Sequence, residues 1–278
     1  MTGKKPFKRI YIEITNKCNL NCSFCPKTNR PLKIMNAAEL ETIIKKIDNY
    51  ADYLYFHVMG EPLLNKNIDK FLNICEEYNK KVNLVTNGIL LDESIDKLQS
   101  KALRKVTVSL HALEANNFIN FDIILDKIIK NIQILSKNAI IELRLWNEKS
   151  DLSKYNEKIF KKLENIFNVD VDRNLLSQRI SENIFLERAN RFIWPSDENE
   201  FYDKNGSCLA LSQQVAILVN GDVVPCCLDS EGSMKLGNIF KNDFNEIINS
   251  SRATCILDGF KTNNKVEETC RRCRFRNR

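Results

Sequence analysis

Three cysteines stand in the run Cys18-Asn-Leu-Asn-Cys22-Ser-Phe-Cys25, directly after the apolar segment Arg9-Ile-Tyr-Ile-Glu-Ile-Thr15. A C-x3-C-x2-C loop of thiolates can hold three irons of a [4Fe–4S] cluster. Full ligation takes four protein ligands, and no fourth cysteine lies near this loop, so one iron stays open to another molecule. A zinc loop is the alternative for the same residue types. A second set lies far downstream, at Cys208, Cys226, Cys270 and Cys273. Its spacing is C-x12-G-x4-C about Gly221, then a long gap, then C-x2-C. Four thiolates complete one [4Fe–4S] cube with no open iron, or one tetrahedral zinc site. Cys75, Cys227 and Cys255 read as small buried hydrophobes. Cys227 should point away from its neighbour Cys226 on a strand, and it substitutes for Cys226 if the register slips by one.

The first loop closely resembles the signature of the radical S-adenosylmethionine (SAM) superfamily. That resemblance implies an open iron that binds SAM. The reduced cluster would then split SAM into methionine and a 5′-deoxyadenosyl radical that takes a hydrogen atom from substrate. Phe24 matches the family's aromatic residue near the adenine of SAM, and Gly60-Glu61 its segment that contacts the methionine amino group. An ammonium carries only donors, so a carbonyl or carboxylate suits it. Thr86-Asn87-Gly88 resembles a further family turn near SAM. Ser109 and Arg144 match positions that bind the SAM carboxylate or ribose in compact members with one additional cluster. An Arg is suited to a bidentate carboxylate contact, and an ion pair from Arg144 to Glu142 or Glu13 is the rival arrangement. The downstream cysteines resemble the auxiliary-cluster module called SPASM in its shortened "twitch" form, which implies one auxiliary [4Fe–4S] cluster. A flavodoxin or ferredoxin-type protein would be the electron donor.

The elements that must position these residues alternate. Strands are predicted at Ile10–Ile14, Tyr53–Val58, Val82–Val85, Lys105–Leu110 and Ile140–Leu145, with a weaker one at Val169–Val171. Amphipathic helices are predicted at Ala37–Tyr50, Ile68–Tyr78, Ser94–Ser100, Phe121–Ser136 and Tyr155–Phe167. Such alternation argues for βαβ units around a parallel sheet. Six units are too few for a closed eight-fold barrel. An α/β fold of the partial (β/α)6 TIM-like kind fits, and the resemblance implies the same. The strands carry one apolar and one polar face, and the polar face reads as the lining of a wet cavity. Glu13, His57, His111 and Glu142 project there as candidate acids and bases, with Tyr11, Tyr55 and Trp146 as ring neighbours.

The rhythm is lost over residues 174–207, which read as linker and covering segment after a barrel of residues 1–173. Residues 208–278 read as the auxiliary-cluster domain, with a type I′ hairpin at Asn220-Gly221 and a helix at Phe240–Ser250. The chain has 278 residues, 43% of them hydrophobic, and is long enough for a real core. It lacks an apolar run of membrane-spanning length or a signal peptide, so a cytoplasmic protein is expected. Ten cysteines then suit clusters better than disulfides. The net charge of +6 is mild, and the Arg-rich end Cys270–Arg278 reads as solvated rather than as a nucleic-acid contact.

Three functions follow. The leading one is a radical SAM dehydrogenase that oxidises a carbinol of a small, polar, ring-containing substrate, its auxiliary cluster taking an electron. The second is a radical lyase or rearranging enzyme on a free small molecule, such as a modified nucleobase in queuine-type salvage. The third is modification of a peptide or protein side chain.

Overall fold

The computed structural model describes residues 6–116, 118–148, 153–191, 193–195 and 200–275. The acidic run at 197–199 and the last arginines at 276 and 278 lie outside the described residues. Five parallel strands open the fold as predicted: β1 (Arg9–Ile12), β2 (Tyr53–Phe56), β3 (Lys81–Thr86), β4 (Leu103–Ser109) and β5 (Ile140–Glu148). Between them run α1 (Ala37–Ile47), α2 (Ile68–Glu77), α3 (Leu91–Ser94), α4 (His111–Glu114) and α5 (Phe121–Leu135). Helix α1 starts at a capping box, Asn36 accepting from the Glu39 N–H and Glu39 accepting in return from the Asn36 N–H. Its apolar stripe, Leu40, Ile43, Ile44 and Ile47, is fully buried. The predicted helix Ser94–Ser100 splits instead into α3 and a 3-10 turn over Ile95–Leu98.

Among the described residues one sheet carries ten strands in the order β10-β9-β8-β1-β2-β3-β4-β5-β7-β6. The outer strands are β6 (Ser177–Ser181), β7 (Ile184–Asn190), β8 (Gln214–Ile217), β9 (Asp222–Val224) and β10 (Gly237–Asn238). The sixth parallel strand is β7, paired with β5 beyond α6 (Asn156–Phe167). This corrects two expectations. Val169–Val171 is not a strand, because Asn168 ends α6 in the left-handed conformation at φ 49° and the Val171 N–H turns back to Glu164. The stretch read as linker holds the β6–β7 hairpin, whose inward residues Ile180, Ile184 and Leu186 are buried.

The C-terminal part is joined to the barrel through the backbone, since β8 pairs in parallel with β1 from Arg9↔Gln214 to Ile12↔Ile217. Strands β8 and β9 form the expected hairpin, but its turn is not type I′. Only Gly221 has positive φ, at 88°, and the Leu218 N–H bonds to the Asp222 carbonyl around a three-residue loop. That is the three-residue hairpin with a glycine bulge. A Cβ at Gly221 would lie 2.3 Å from the Phe240 ring. The last helices are α7 (Phe244–Ile248), α8 (Ser251–Lys261) and α9 (Glu268–Arg271).

Parallel register sorts the side chains into two faces. Ile10, Ile12, Leu54, Phe56, Val82, Leu84, Val106, Val108, Ile141 and Leu143 face the helices and form the main core. The other face carries Tyr11 beside Tyr55 beside Asn83 in one row, and Thr107 beside Glu142 and Ser109 beside Arg144 in higher rows. Tyr55, His57, Ser109, Glu142 and Arg144 stay half-exposed there, so the inner face is the partly open polar lumen that alternation predicts.

Candidate active site

The cysteine loop leaves the C-terminal end of β1, where sites of parallel α/β folds assemble. Cys18 is exposed, Cys22 and Cys25 are half-buried, and all three are free thiols. Each is pushed up by burial, Cys18 and Cys25 raise Cys22 further and Cys25 raises Cys18, which places the three sulfurs in one electrostatic neighbourhood. The loop is pinned at three points. Asn87 Nδ2 donates to Asn19 Oδ1 at 2.8 Å, Asn116 Oδ1 accepts the Asn21 N–H at 2.9 Å, and the Phe24 ring packs on His111 at 5.0 Å.

Gly60 lies against the start of the loop at φ 78°. A Cβ there would come within 2.4 Å of the Thr15 carbonyl and 2.7 Å of the Lys17 carbonyl, so only glycine fits. The next amide, Glu61 N–H, bonds to that Lys17 carbonyl at 2.7 Å. The Glu61 carboxylate turns inward, so of the two acceptors expected at Gly60-Glu61, carbonyl or carboxylate, the carboxylate is engaged within the protein. It accepts from Thr86 Oγ1 at 2.7 Å, the Asn87 N–H at 2.8 Å and the Leu63 N–H at 3.1 Å. Burial raises its pKa to about 6 against these bonds. Glu61 therefore fastens the end of β2 to the Thr86-Asn87-Gly88 turn.

On β5, Arg144 realises the rival arrangement in part. Nη2 donates to Glu142 Oε1 at 2.8 Å and the guanidinium covers the Trp146 ring at 4.1 Å. Its Nε is buried without a hydrogen-bond partner. An unpaired buried guanidinium donor marks a position ready for an acceptor. Ser109 stands beside it in register on β4. Glu142 is also paired to Lys105 at 2.7 Å. Burial raises the Glu142 pKa, but Arg144 and Lys105 outweigh it and hold the carboxyl below the ordinary range.

The four acid–base candidates do not converge. Glu13 is 1% exposed and accepts two bonds from Arg30, one from the Met59 N–H at 3.3 Å and one from the Val219 N–H at 2.9 Å. Every lone pair is engaged, which corrects its reading as a free acid or base. His111 begins α4 instead of ending β4 on the lumen face, and its Nδ1 lies 3.1 Å from the Arg144 carbonyl and 3.3 Å from the Trp146 amide nitrogen. Burial lowers its pKa to about 4, and that of His57 to about 3, so both rings are neutral. His57 stays on the lumen side near the Tyr11 ring, 6.2 Å away.

The fold also gathers the downstream cysteines. Burial and the nearby Cys208, Cys226 and Cys273 push the Cys270 thiol far up, and burial with Cys226 and Cys208 takes Cys273 to about 11. Cys226, Cys208 and Cys270 pack on the main core, whereas Cys227 packs with Tyr11, Tyr55, Met59 and Cys25 on the lumen side. Cys226 and Cys227 follow the end of β9 rather than alternating along it, and their thiols are hydrogen-bonded. Cys75 is buried in α2 as expected, but Cys255 is exposed on α8, because its position in the helix faces away from the stripe of Ala253, Ile256 and Phe260. Among the described residues, no three His, Cys, Asp or Glu close around a single-ion position. Both cysteine sets consist of free thiols, the first beyond the C-terminal end of β1 and the second gathered in the C-terminal part, donor sets that fit iron–sulfur clusters.

The model of the radical SAM superfamily matches residues 12–146, and that of SPASM, an iron–sulfur cluster-binding domain, matches residues 208–274. The chain belongs to the radical SAM superfamily. Its two matched domains imply [4Fe–4S] clusters and SAM. This radical SAM enzyme is 25% identical over 280 residues to the S-adenosyl-L-methionine-dependent 2-deoxy-scyllo-inosamine dehydrogenase of Niallia circulans, covering 97% of this chain and 93% of the relative. A probable GTP 3′,8-cyclase of Methanococcus maripaludis is 35% identical over 114 residues, but that match spans only 40% of this chain and 38% of the cyclase. The crystal structure of BtrN in complex with AdoMet and 2-DOIA superposes with a TM-score of 0.62 at 20% identity, over 97% of this chain and 94% of BtrN. That likeness shows a shared fold.

Three residues of the site carry no motif. Arg30 and Lys105 are single cations whose carboxylate partners become visible only through the sheet. Asn116 reaches Cys22 across 94 positions of sequence.

Proposed function

We propose that this enzyme dehydrogenates a carbinol of a small, polar, ring-containing molecule. Cys18, Cys22 and Cys25 would hold a [4Fe–4S] cluster open to SAM, and Cys208, Cys226, Cys270 and Cys273 an auxiliary [4Fe–4S] cluster. The observation that carries the reading is the occurrence in one fold of two free-thiol sets, one after β1 and one in the C-terminal part, in a chain similar over 97% of its length to an aminocyclitol dehydrogenase. When bound, SAM and the reduced cluster supply the oxidising equivalent that removes the carbinol hydrogen atom.

The protein's own residues do the rest. Arg144 Nε and Ser109 orient the SAM carboxylate or ribose, and the fixed Gly60 backbone leaves carbonyl acceptors for an ammonium. With Glu13 and His111 engaged and Glu142 held by Lys105, Thr107 and Arg144, the neutral His57 is the group on the lumen face left to accept the O–H proton. Loss of one hydrogen atom, one proton and one electron turns the carbinol into a carbonyl. An auxiliary cluster held by Cys208, Cys226, Cys270 and Cys273 would supply the acceptor for that electron, and a flavodoxin or ferredoxin-type protein would be the donor to the first cluster. Among the described residues no helix is long and apolar enough to cross a membrane. A cytoplasmic enzyme is the corresponding reading.

The test is isotopic. Anaerobically reconstituted enzyme is given 2-deoxy-scyllo-inosamine and related cyclitols deuterated at each carbinol. Deuterium in 5′-deoxyadenosine together with a carbonyl product supports the proposal. Deuterium transfer followed by ring cleavage or rearrangement favours the lyase reading, which the partial likeness to GTP 3′,8-cyclases supports.

A further inference from the structure

Asn116 follows α4 and meets the cysteine loop with its whole side chain. Its Oδ1 accepts the Asn21 N–H at 2.9 Å. Its Nδ2 donates to the Ala112 carbonyl at 2.7 Å and approaches Cys22 Sγ at 3.1 Å. The amide orientation follows from the chemistry of its partners. A backbone N–H can only donate, so the oxygen faces Asn21 and both amide hydrogens are left for the carbonyl and the sulfur. The i to i+4 bond to Ala112 anchors this group on the barrel, independently of the loop it grips. The other two sulfurs of the loop are served by backbone amides, Leu20 N–H for Cys18 at 3.4 Å and Lys27 N–H for Cys25.

We propose that Asn116 is a positioning residue for the SAM-binding cluster, holding Cys22 and raising the cluster's reduction potential through its bond to the sulfur. Hydrogen bonds to cluster sulfurs favour the more negatively charged, reduced state, and hence a higher potential. The same bond steadies Cys22 before any iron arrives. The inference rests on the assignment of Cys18, Cys22 and Cys25 to a cluster, which iron and sulfide counting of the wild type tests separately.

Two substitutions divide the clamp. Asn116→Asp keeps an oxygen for the Asn21 N–H but turns an acceptor toward the sulfur, and Asn116→Ala removes both contacts. The SAM-binding cluster is identified as the signal in electron paramagnetic resonance that changes on adding SAM, and its potential is read by redox titration. Both variants should show a more negative potential, the Asp variant most of all. In the iron-free protein, hydrogen exchange at Asn21 should quicken for Ala and stay near wild type for Asp. Selective loss of the SAM-responsive cluster in the Asp variant, with the auxiliary signal intact, supports the proposal equally. Unchanged potentials in both variants would overturn it. If the wild type lacks a SAM-responsive cluster, the functional reading itself fails.

Discussion

Arg30 grips Glu13 with both arms, Nη2 at 2.6 Å from Oε1 and Nη1 at 2.8 Å from Oε2, while its Nε donates to the Ser230 carbonyl at 2.7 Å. Glu13 is at the end of β1, Arg30 follows the cysteine loop, and Ser230 lies in the C-terminal part. With the Val219 N–H also on Glu13, one buried pair ties the cysteine loop and β1 to the C-terminal part. Removing one partner leaves a buried charge uncompensated, whereas neutralising both does not. Arg30→Met should therefore destabilise the iron-free protein by about 3–5 kcal/mol. The Glu13→Gln, Arg30→Met pair should lose clearly less, since Gln is neutral and its amide oxygen still accepts from the Val219 N–H. Urea unfolding of the two variants checks this, and a double variant worse than Arg30→Met would contradict it.

Gly60→Ala should detach the loop from β2. The left-handed backbone alone costs a non-glycine residue roughly 1–2 kcal/mol, and the Cβ at 2.4 Å from the Thr15 carbonyl forces the backbone to shift as well. SAM affinity should fall together with the melting temperature. Wild-type SAM binding in this variant would show that the close approach is incidental.

Arg144→Ala should weaken SAM binding on the order of tenfold to a hundredfold, the worth of a charge-assisted contact of roughly 1.5–3 kcal/mol. Glu142 keeps Lys105 as a partner, so folding should suffer less than binding. Calorimetric titration against a melting curve separates the two. A variant that unfolds while its folded fraction binds SAM normally would make Arg144 purely structural.

Acid should weaken the iron-free protein through its two histidines. Folded His57 and His111 titrate at about 3 and about 4, against an ordinary 6.5, because burial disfavours their charged forms. Below about pH 6.5 the unfolded chain therefore takes up protons that the folded chain refuses, and stability is lost as the pH falls toward 4. Glu61 opposes this. Its folded value of about 6 exceeds the ordinary 4.5, so the folded chain gains relative stability on acidification through that window. Each group changes the slope by at most about 1.4 kcal/mol per pH unit, and two against one leaves a net loss. His111→Asn should flatten the fall between pH 6 and 4.5, and Glu61→Gln should steepen it. Chemical denaturation across the range reads both, and an unchanged slope in His111→Asn would refute the assignment.

Much of this site is legible in the sequence because its signals are local. Cysteine spacing, strand alternation and the Asn220-Gly221 turn each belong to short stretches, and they locate both thiol sets and five of the parallel strands. The failures share a physical cause. Val169–Val171 has strand-forming residues, yet the helix end before it and the ion pair of Arg173 with Glu164 use that segment as a turn. Ile184–Asn190 has a partly charged pattern because it lies near the sheet edge, and so it resembles a linker. Glu13 and Glu61 look reactive because a carboxylate on a polar face is the same letter whether it meets substrate or a ring of N–H donors. Only the tertiary partners, Arg30 for one and the Thr86–Asn87 turn for the other, tell the two apart.

The auxiliary cysteines separate a dehydrogenase from a lyase. Replacing Cys208, Cys226, Cys270 and Cys273 by Ala removes the proposed electron acceptor while leaving the Cys18 loop and its Asn87 and Asn116 anchors intact. Since β8 is held to β1 by backbone pairing, the barrel should stay folded around the altered module. If the auxiliary cluster accepts the substrate electron, this variant should still cleave SAM and move deuterium into 5′-deoxyadenosine, yet form little carbonyl product. If the cluster only supports the C-terminal part, substrate affinity should drop and deuterium transfer should fall with it. Cys227→Ala is the control, because Cys227 packs on the lumen side with Tyr11 and Cys25 and leaves the four-thiol set complete. That variant should retain both clusters by iron count. Normal carbonyl formation by the four-cysteine variant would sink the electron-acceptor role.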